Sequence, residues 1–324
     1  MVKAIQIQKT GGPEVIALAD VDVPAPAAGE ILIRHTAIGL NFIDTYHRSG
    51  LYPVPLPSGL GLEAAGVVEA VGEGVKDLRE GDRVAYGTGP IGSYAERRVM
   101  PAEKVIKLPD SIGDETAAAM MLKGMTAQYM IRRIYPVKAG ETVLFHAIAG
   151  GVGLIACQWL KALGATVIGT AGSQEKADLA RAHGCDHVIL YREENIAERV
   201  MDITGGKKVP VVFDGVGKDT FIPSLDSLSP RGLLVSYGNA SGPVRDVDLG
   251  ILAAKGSLFV TRPTLMHYTA TPEDMRATAQ DVVDVVASGK VKIDINQRYA
   301  LADARKAHED LEARKTTGQT ILIP

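Results

Sequence analysis

Apolar and polar positions divide the chain into two patterns. Over roughly the first hundred residues, apolar-rich runs are short. They are Val2 to Ile7, Val15 to Leu18, Glu30 to Ala37, Glu63 to Val71, Arg83 to Tyr86 and Tyr94 to Val99, parted by glycine, proline or charged turns. Such runs predict strands, and the one helical stretch predicted here is Asn41 to Ser49. Gly59, Gly61 and Gly66 punctuate the region, and residues 72–81 read as a loop. The expectation is an irregular β-barrel rather than a sandwich of long strands.

After Ser111 the pattern changes. Asp114 to Met121 and Thr126 to Arg133 read as helices, and then the chain alternates. Thr142 to Phe145, Thr166 to Thr170, His187 to Leu190, Val211 to Phe213 (with Pro210 leading in) and Gly232 to Tyr237 read as strands. Between them Val152 to Leu163, Ser173 to His183, Asn195 to Ile203 and Asp219 to Leu228 read as helices. This alternation predicts a mostly parallel sheet covered on both faces, so the fold class is α/β. Leu258 to Thr261 reads as one more strand, Pro272 to Ser288 and Ala300 to Arg314 as helices, and Thr320 to Ile323 as a closing strand expected to return to the first domain. No internal repeat or low-complexity linker interrupts the chain.

The 324 residues leave room for two domains, and 46% apolar against 23% charged residues predicts a substantial core. A formal charge of −3 and the lack of basic runs give no reason to expect nucleic acid or an anionic membrane as partner. Cys157 and Cys185 are the only cysteines, so a disulfide framework is not expected. Cys157 reads as a buried helix thiol; Cys185, at a helix end, reads as buried or partly exposed. The N-terminus shows no secretory h-region, and no apolar run reaches the roughly 20 residues of a spanning helix. The expectation is a soluble cytoplasmic protein.

The stretch His146 to Gly153 lies between a predicted strand and a predicted helix. Gly150, Gly151 and Gly153 there permit a tight turn and close approach of backbone N–H groups to a dinucleotide pyrophosphate at a helix N-terminus. The spacing is AxxGxxG (Ala147, Gly150, Gly153), because Ile148 takes the first glycine position of GxGxxG. The following strand runs into Ala171, Gly172 and Ser173 with no Asp or Glu at its end. An acid there would bind a free ribose 2′-hydroxyl. Its absence, with the Ser173 hydroxyl and the Lys176 ammonium nearby, favours a 2′-phosphate and hence NADP(H) over NAD(H). The competing reading is that Ser173 only caps a helix and Lys176 faces solvent. Tyr191 and Arg192 end the next strand as a further adenosine edge. The loops Asp214 to Gly217 and Tyr237 to Asn239 end later strands, so Gly215, Tyr237 and Gly238 are candidate nicotinamide or ribose contacts, or simply turns.

Asn41 to Tyr46, Gly61 to Gly66, Gly81 to Tyr86 and His146 to Gly153 form an ordered set. On these motifs the chain, from Met1 to Pro324, resembles the zinc-independent medium-chain dehydrogenases/reductases, in particular the NADPH-dependent quinone oxidoreductases of the zeta-crystallin kind. The resemblance implies a GroES-like catalytic domain made by both chain ends (1–124 and 265–324) and a Rossmann NADP-binding domain between them (125–264). It also implies a homodimer joined through the Rossmann sheets, with Leu258 to Thr261 at the dimer edge. Positions that contact cofactor in such enzymes match Asn41, Gly151, Val152, Ser173, Lys176, Tyr191 and Arg314. In zinc-containing relatives the first ligand is a Cys at the position of Asn41, and a ligand His stands at Leu62, before Glu63. The first domain has no cysteine, so no metal site is expected.

The implied reaction is two-electron reduction of a quinone by NADPH without metal, the protein aligning donor and acceptor. Asn41, Tyr46 and Tyr52 are the cleft candidates: Asn41 to orient a ribose or substrate oxygen, either tyrosine to stack on a ring or hydrogen-bond an oxygen. Packing is the competing role of the tyrosines. Asp44 and Glu63 read as structural. Thr126, beyond Lys123 at the expected crossover, is a candidate nicotinamide contact. Arg262, in the turn Thr261 to Pro263, is a candidate at the cofactor cleft. Two other functions fit the same residues: reduction of an activated double bond in an enone or alkenal, and a noncatalytic NADPH-binding role.

Overall fold

The computed structural model describes residues 1–324 and divides them into two units. One comprises Met1–Met125, Thr269–Ser288 and Ile293–Pro324; the other comprises Thr126–Tyr268 and Gly289–Lys292.

The first unit opens with β1 (Val2–Ile7), a short 3₁₀ turn at Pro13–Val15, and β2 (Ala17–Val21), antiparallel to β1. In β3 (Glu30–Gly39) Ile31, Ile33, His35 and Ala37 point inward, the period of two that a half-buried strand requires. The helix α1 (Phe42–Ser49) follows, with Asn41 as N-cap and Gly50 in the left-handed region as C-cap. Then come β4 (Ser58–Gly59), β5 (Glu63–Val71), β6 (Arg83–Tyr86), β7 (Arg97–Pro101), β8 (Ile106–Lys107) and the helix α2 (Asp114–Gln128). Ile5, Ile7, Ile31, Ile33, Ile38, Leu60, Val84 and Tyr86 form one core with Leu301 and Leu322 from the far end of the chain.

The second unit carries β9 (Thr142–Phe145), α3 (Gly151–Ala162), β10 (Thr166–Ala171), α4 (Gln174–Ala182), β11 (His187–Leu190), α5 (Ile196–Ile203), β12 (Val209–Asp214), α6 (Phe221–Ser227), β13 (Leu228–Ser236), α7 (Gly250–Ala254), β14 (Phe259–Thr261) and α8 (Leu265–Tyr268). Its six strands are all parallel, in the order β11-β10-β9-β12-β13-β14. The order reverses beside β9, so the crevice at the carboxyl ends of β9 and β12 is where a doubly wound sheet binds ligands.

The chain then returns to the first unit through α9 (Pro272–Ala287), β15 (Ile295–Ala300), α10 (Ala304–Glu312) and β16 (Gln319–Ile323). β16 pairs antiparallel with β3 and completes a seven-stranded sheet, β15-β16-β3-β5-β6-β8, with β7 on β3.

Several predicted elements are corrected. The strand expected over Val15 to Leu18 begins only at Ala17, because Pro13 starts a 3₁₀ turn ahead of it. The strand expected from Tyr94 lies at Arg97–Pro101; Tyr94 is instead drawn into the core, its N–H on Leu60 O. The two helices expected between Asp114 and Arg133 are continuous, α2 passing directly into a π-helical stretch over Tyr129–Ile134. Pro210 sits within β12 at a shift of register rather than before it. The strand β15 precedes what reads as a helix from Ala300, and the helix itself begins at Ala304.

A polar chain ties α1 to α10. Arg48, 2% exposed, donates from Nη2 and Nη1 to the Glu312 carboxylate at 2.7 and 3.0 Å, from Nη1 to His308 Nδ1 at 3.1 Å and from Nε to Gly11 O at 3.1 Å. Burial, and then the Arg48 charge, hold His308 neutral with its pKa pushed down to about 3. Arg48→Met, which keeps the stem and removes the fork, is expected to lower the unfolding free energy by about 2 kcal/mol, the worth of its charge-assisted hydrogen bonds, because Arg48 is buried but Glu312 is exposed and stays solvated. Urea unfolding checks this; a loss below about 1 kcal/mol would assign the stability of the α1–α10 contact to apolar packing alone.

Candidate nucleotide and substrate sites

The glycine turn lies at the carboxyl end of β9. Ala147 adopts a left-handed backbone (φ 53°), Gly150 is the N-cap of α3, and no side chain caps that helix or places an acid in its first turn. A Cβ at Gly153 would stand 2.5 Å from Ile148 O, so only glycine lets the helix close on the turn. The uncapped helix N-terminus, the absence of an acid and the glycine-lined approach at Gly150, Gly151 and Val152 fit an anionic pyrophosphate.

Beneath the turn runs a network that sequence spacing did not reveal. His146, fully buried, meets Thr170 Oγ1 through Nδ1 at 3.1 Å and Ser224 Oγ through Nε2 at 3.0 Å. Ser224 donates to Asp214 Oδ2 at 2.9 Å, and Asp214 also accepts from Thr220 Oγ1 and from the N–H groups of Val216 and Gly217. Thr170 Oγ1 accepts the Ala147 N–H at 3.2 Å. Burial pushes the His146 pKa down, with Asp214 opposing it. The carboxyl ends of β9, β10 and β12 are thereby fixed to one another.

At the end of β10, Ser173 caps α4 by accepting the Lys176 N–H at 3.4 Å. An accepting hydroxyl keeps its own proton free to donate, so capping and phosphate binding are compatible. Lys176 is half-buried on the first turn of α4. The Tyr191 hydroxyl lies where a Cβ on Gly172 would be, 2.6 Å from it, so Gly172, Ser173 and Tyr191 form one edge. Gly215 and Gly238 pack backbone to backbone, and a Cβ on Gly215 would meet the Tyr237 ring at 2.8 Å. Arg262 donates through Nη1 to Ser236 O at 2.7 Å, at the carboxyl end of β13. Thr126 is buried at the start of this unit.

In the first unit, Asn41 is 3% exposed and its Nδ2 donates to Glu63 Oε2 at 2.8 Å. That carboxylate is fully buried and also takes the Leu122 N–H at 2.8 Å and Lys123 Nζ at 3.2 Å. Asp44 accepts the Asn41 N–H at 2.9 Å and the Tyr94 hydroxyl at 2.8 Å on Oδ2, while its buried Oδ1 has no partner. Burial pushes the Asp44 pKa up to about 7 against the hydrogen bonds from Asn41 and Tyr94. Tyr46 is buried, with its ring edge-on to Tyr52 at 5.1 Å. Arg314 follows α10, exposed and in a left-handed conformation (φ 59°). The structure thus joins Asn41 to Glu63 and Lys123, and Tyr46 to Tyr52. Lys123 is the member that motif reading left aside, because nothing in its spacing from Glu63 marks the pair. Cys157 and Cys185 are both buried thiols. No three His, Cys, Asp or Glu side chains gather in a way that could hold a metal ion.

Residues 27–110 match the alcohol dehydrogenase GroES-like domain family, and residues 151–286 match the zinc-binding dehydrogenase family. The whole chain is 58% identical to the whole of a quinone oxidoreductase of Pseudomonas aeruginosa. It is 46% identical, over all of its length and 99% of the relative's, to a 2-haloacrylate reductase of a Burkholderia species. Among solved structures it is similar to Escherichia coli quinone oxidoreductase complexed with NADPH, with a TM-score of 0.98 and 52% identity over 99% of this chain and 100% of the other.

The Asp44 shift has a consequence for stability. A folded pKa raised above the ordinary 3.8 gives stability that is complete below that value and is lost as pH rises toward about 7. Asp44→Asn keeps an acceptor for both donors and removes the titration. The stability of the wild type relative to this variant is therefore expected to fall by a few kcal/mol between about pH 4 and about pH 7, then level off. Paired urea titrations across that window test it, and a constant difference would show that Asp44 ionises as freely folded as unfolded.

Proposed function

Because the chain belongs to the zinc-independent quinone oxidoreductase family of the medium-chain dehydrogenases/reductases, we propose that it is an NADPH-dependent quinone oxidoreductase acting without a metal. The observation that carries this is end-to-end similarity to quinone oxidoreductases, 58% identical in one and 52% in another. Bound NADPH supplies hydride, and the chain's own residues bind and orient. In this reading the turn Gly150 to Gly153 and the N-terminus of α3 hold the pyrophosphate, while Gly172, Ser173, Lys176 and Tyr191 hold the phosphorylated adenosine end. Thr126, Gly215, Tyr237, Gly238 and Arg262 border the nicotinamide half. Asn41, Tyr46 and Tyr52 serve the acceptor, and Asn41 and Arg314 also contact cofactor.

A second acceptor class is favoured by one observation. The 46% identity to a 2-haloacrylate reductase extends over the full chain, and a haloacrylate is an activated alkene. NADPH oxidation with 1,4-benzoquinone, 2-chloroacrylate and a simple enone, each repeated with NADH, separates the classes. Turnover with benzoquinone and strong preference for NADPH are expected. Turnover with the alkenes alone would move the assignment to double-bond reduction, and NADPH binding without any turnover would leave a noncatalytic role. Lys176→Ala is expected to raise KM for NADPH about 10-fold, the worth of one charge-assisted phosphate contact, and to leave KM for NADH unchanged. An equal effect on both would remove Lys176 from the phosphate site.

The assembly proposed is a homodimer through the Rossmann sheet. β14 is an edge strand whose Phe259 is 61% and Val260 39% exposed, and an apolar edge of this kind is a template for pairing. The Phe259→Lys/Val260→Lys double variant is expected to be monomeric in light scattering at a concentration where the wild type is dimeric; a variant that stays dimeric would place the interface elsewhere. No helix is long and apolar enough to cross a membrane.

A further inference from the structure

Lys123 stands on α2 with 6% exposure, and its Nζ has one partner, Glu63 Oε2 at 3.2 Å. An ammonium carries three donors, so two buried N–H groups have no acceptor within the chain. The carboxylate opposite has both oxygens engaged by contrast, Oε1 by the Leu122 N–H and Oε2 by Asn41 Nδ2 and Lys123 itself. A buried ion pair offsets its desolvation only when the remaining donors and lone pairs are also satisfied. Here both acceptor oxygens have partners while two of the three ammonium donors do not, an arrangement that suits a further oxygen ligand. The Asn41 side chain shares Glu63 Oε2 with Lys123.

We infer that Lys123 is a catalytic residue, its ammonium donating to the carbonyl oxygen of the acceptor and holding the negative charge that develops there during reduction. This rests on the reductase reading above. In the step, a quinone gains a hydride, two electrons and one proton, from the reduced nicotinamide, which is oxidised. The resulting hydroquinone anion carries its charge on the oxygen facing Nζ. A second proton, from solvent, completes the hydroquinone, and Lys123 keeps its own protons throughout. An enone takes the same contact at its enolate oxygen. Preorganised donors at a developing oxyanion are usually worth more than any other single contribution to such a reaction. Glu63 acts through Lys123, fixing the ammonium and balancing its charge while the site is empty of substrate.

The test is the Lys123→Met/Glu63→Gln double variant, which removes both charges and so leaves no unpaired buried carboxylate. Circular dichroism and thermal melting establish its fold, and fluorescence titration its NADPH affinity. The expected result is a folded protein binding NADPH within about twofold of wild type, with kcat for 1,4-benzoquinone reduced about 100-fold, the effect of deleting one oxyanion donor. Ethylammonium is expected to restore part of the turnover of Lys123→Ala. A folded double variant with wild-type kcat overturns the inference, as does a loss of turnover that only parallels a loss of NADPH affinity. Should the double variant not fold, 4-nitrophenol titrated in the presence of wild-type protein and NADP⁺ decides the matter. Bound beside the ammonium, it ionises below its ordinary pKa; an unshifted or raised value, or no binding, overturns the proposal. Wild-type protein that turns over neither quinone nor enone would instead refute the reductase reading.

Discussion

Glu63 is fully enclosed, and a carboxylate in that position must have its oxygens occupied or be protonated. It heads β5 in register with Gly39 of β3, where a Cβ would collide with the carboxylate itself. From that one point it takes bonds from the N-cap of α1 and from two consecutive residues of α2. Strand pairing, helix entry and helix placement therefore converge on a single anion. The candidate substrate side chains are positioned by elements that answer to it. A glycine at 39 and a cation at 123 are consequences of the same constraint.

The second unit solves the equivalent problem with a neutral histidine rather than an ion pair. Three parallel strands must end in loops close enough to hold one dinucleotide, yet backbone groups at strand ends lack ladder partners. Asp214 takes two loop N–H groups, Thr170 takes the Ala147 N–H, and His146 and Ser224 join the two. Every side chain in this network is buried, so in low dielectric it stiffens the glycine turn after β9. The strained backbone at Ala147 persists because its surroundings are over-determined in this way.

Quinones and 2-haloacrylates, the acceptors that two full-length relatives are named for, present one common demand. Hydride acceptors of either kind end as oxyanions, or as carbanions conjugated to a carbonyl oxygen. In the site proposed above, an ammonium and an amide would meet that demand with little regard to the carbon framework. Discrimination between the two classes then falls to shape.

Much of the architecture was legible in the chain. The β9–turn–α3 segment was readable because an apolar run, a glycine cluster and an amphipathic helix follow in order, each governed by contacts a few residues apart. The same holds for the alternation through β13 and for the absence of an acid after β10. What reading along the chain missed has a common cause. The strand β15 carries an alternating half-exposed pattern too weak to stand out, and it exists because β16 offers it an edge. Tyr94 leaves the strand expected for it because Asp44 and His308 claim its hydroxyl from 50 and 214 residues away. Lys123 and Glu63, 60 residues apart, read separately as a residue of the domain crossover and a structural acid. Local periodicity determined most of the segments that became helices and strands. Tertiary structure alone decided which polar groups meet, because burying a charge obliges it to find a partner wherever in the chain one can be brought.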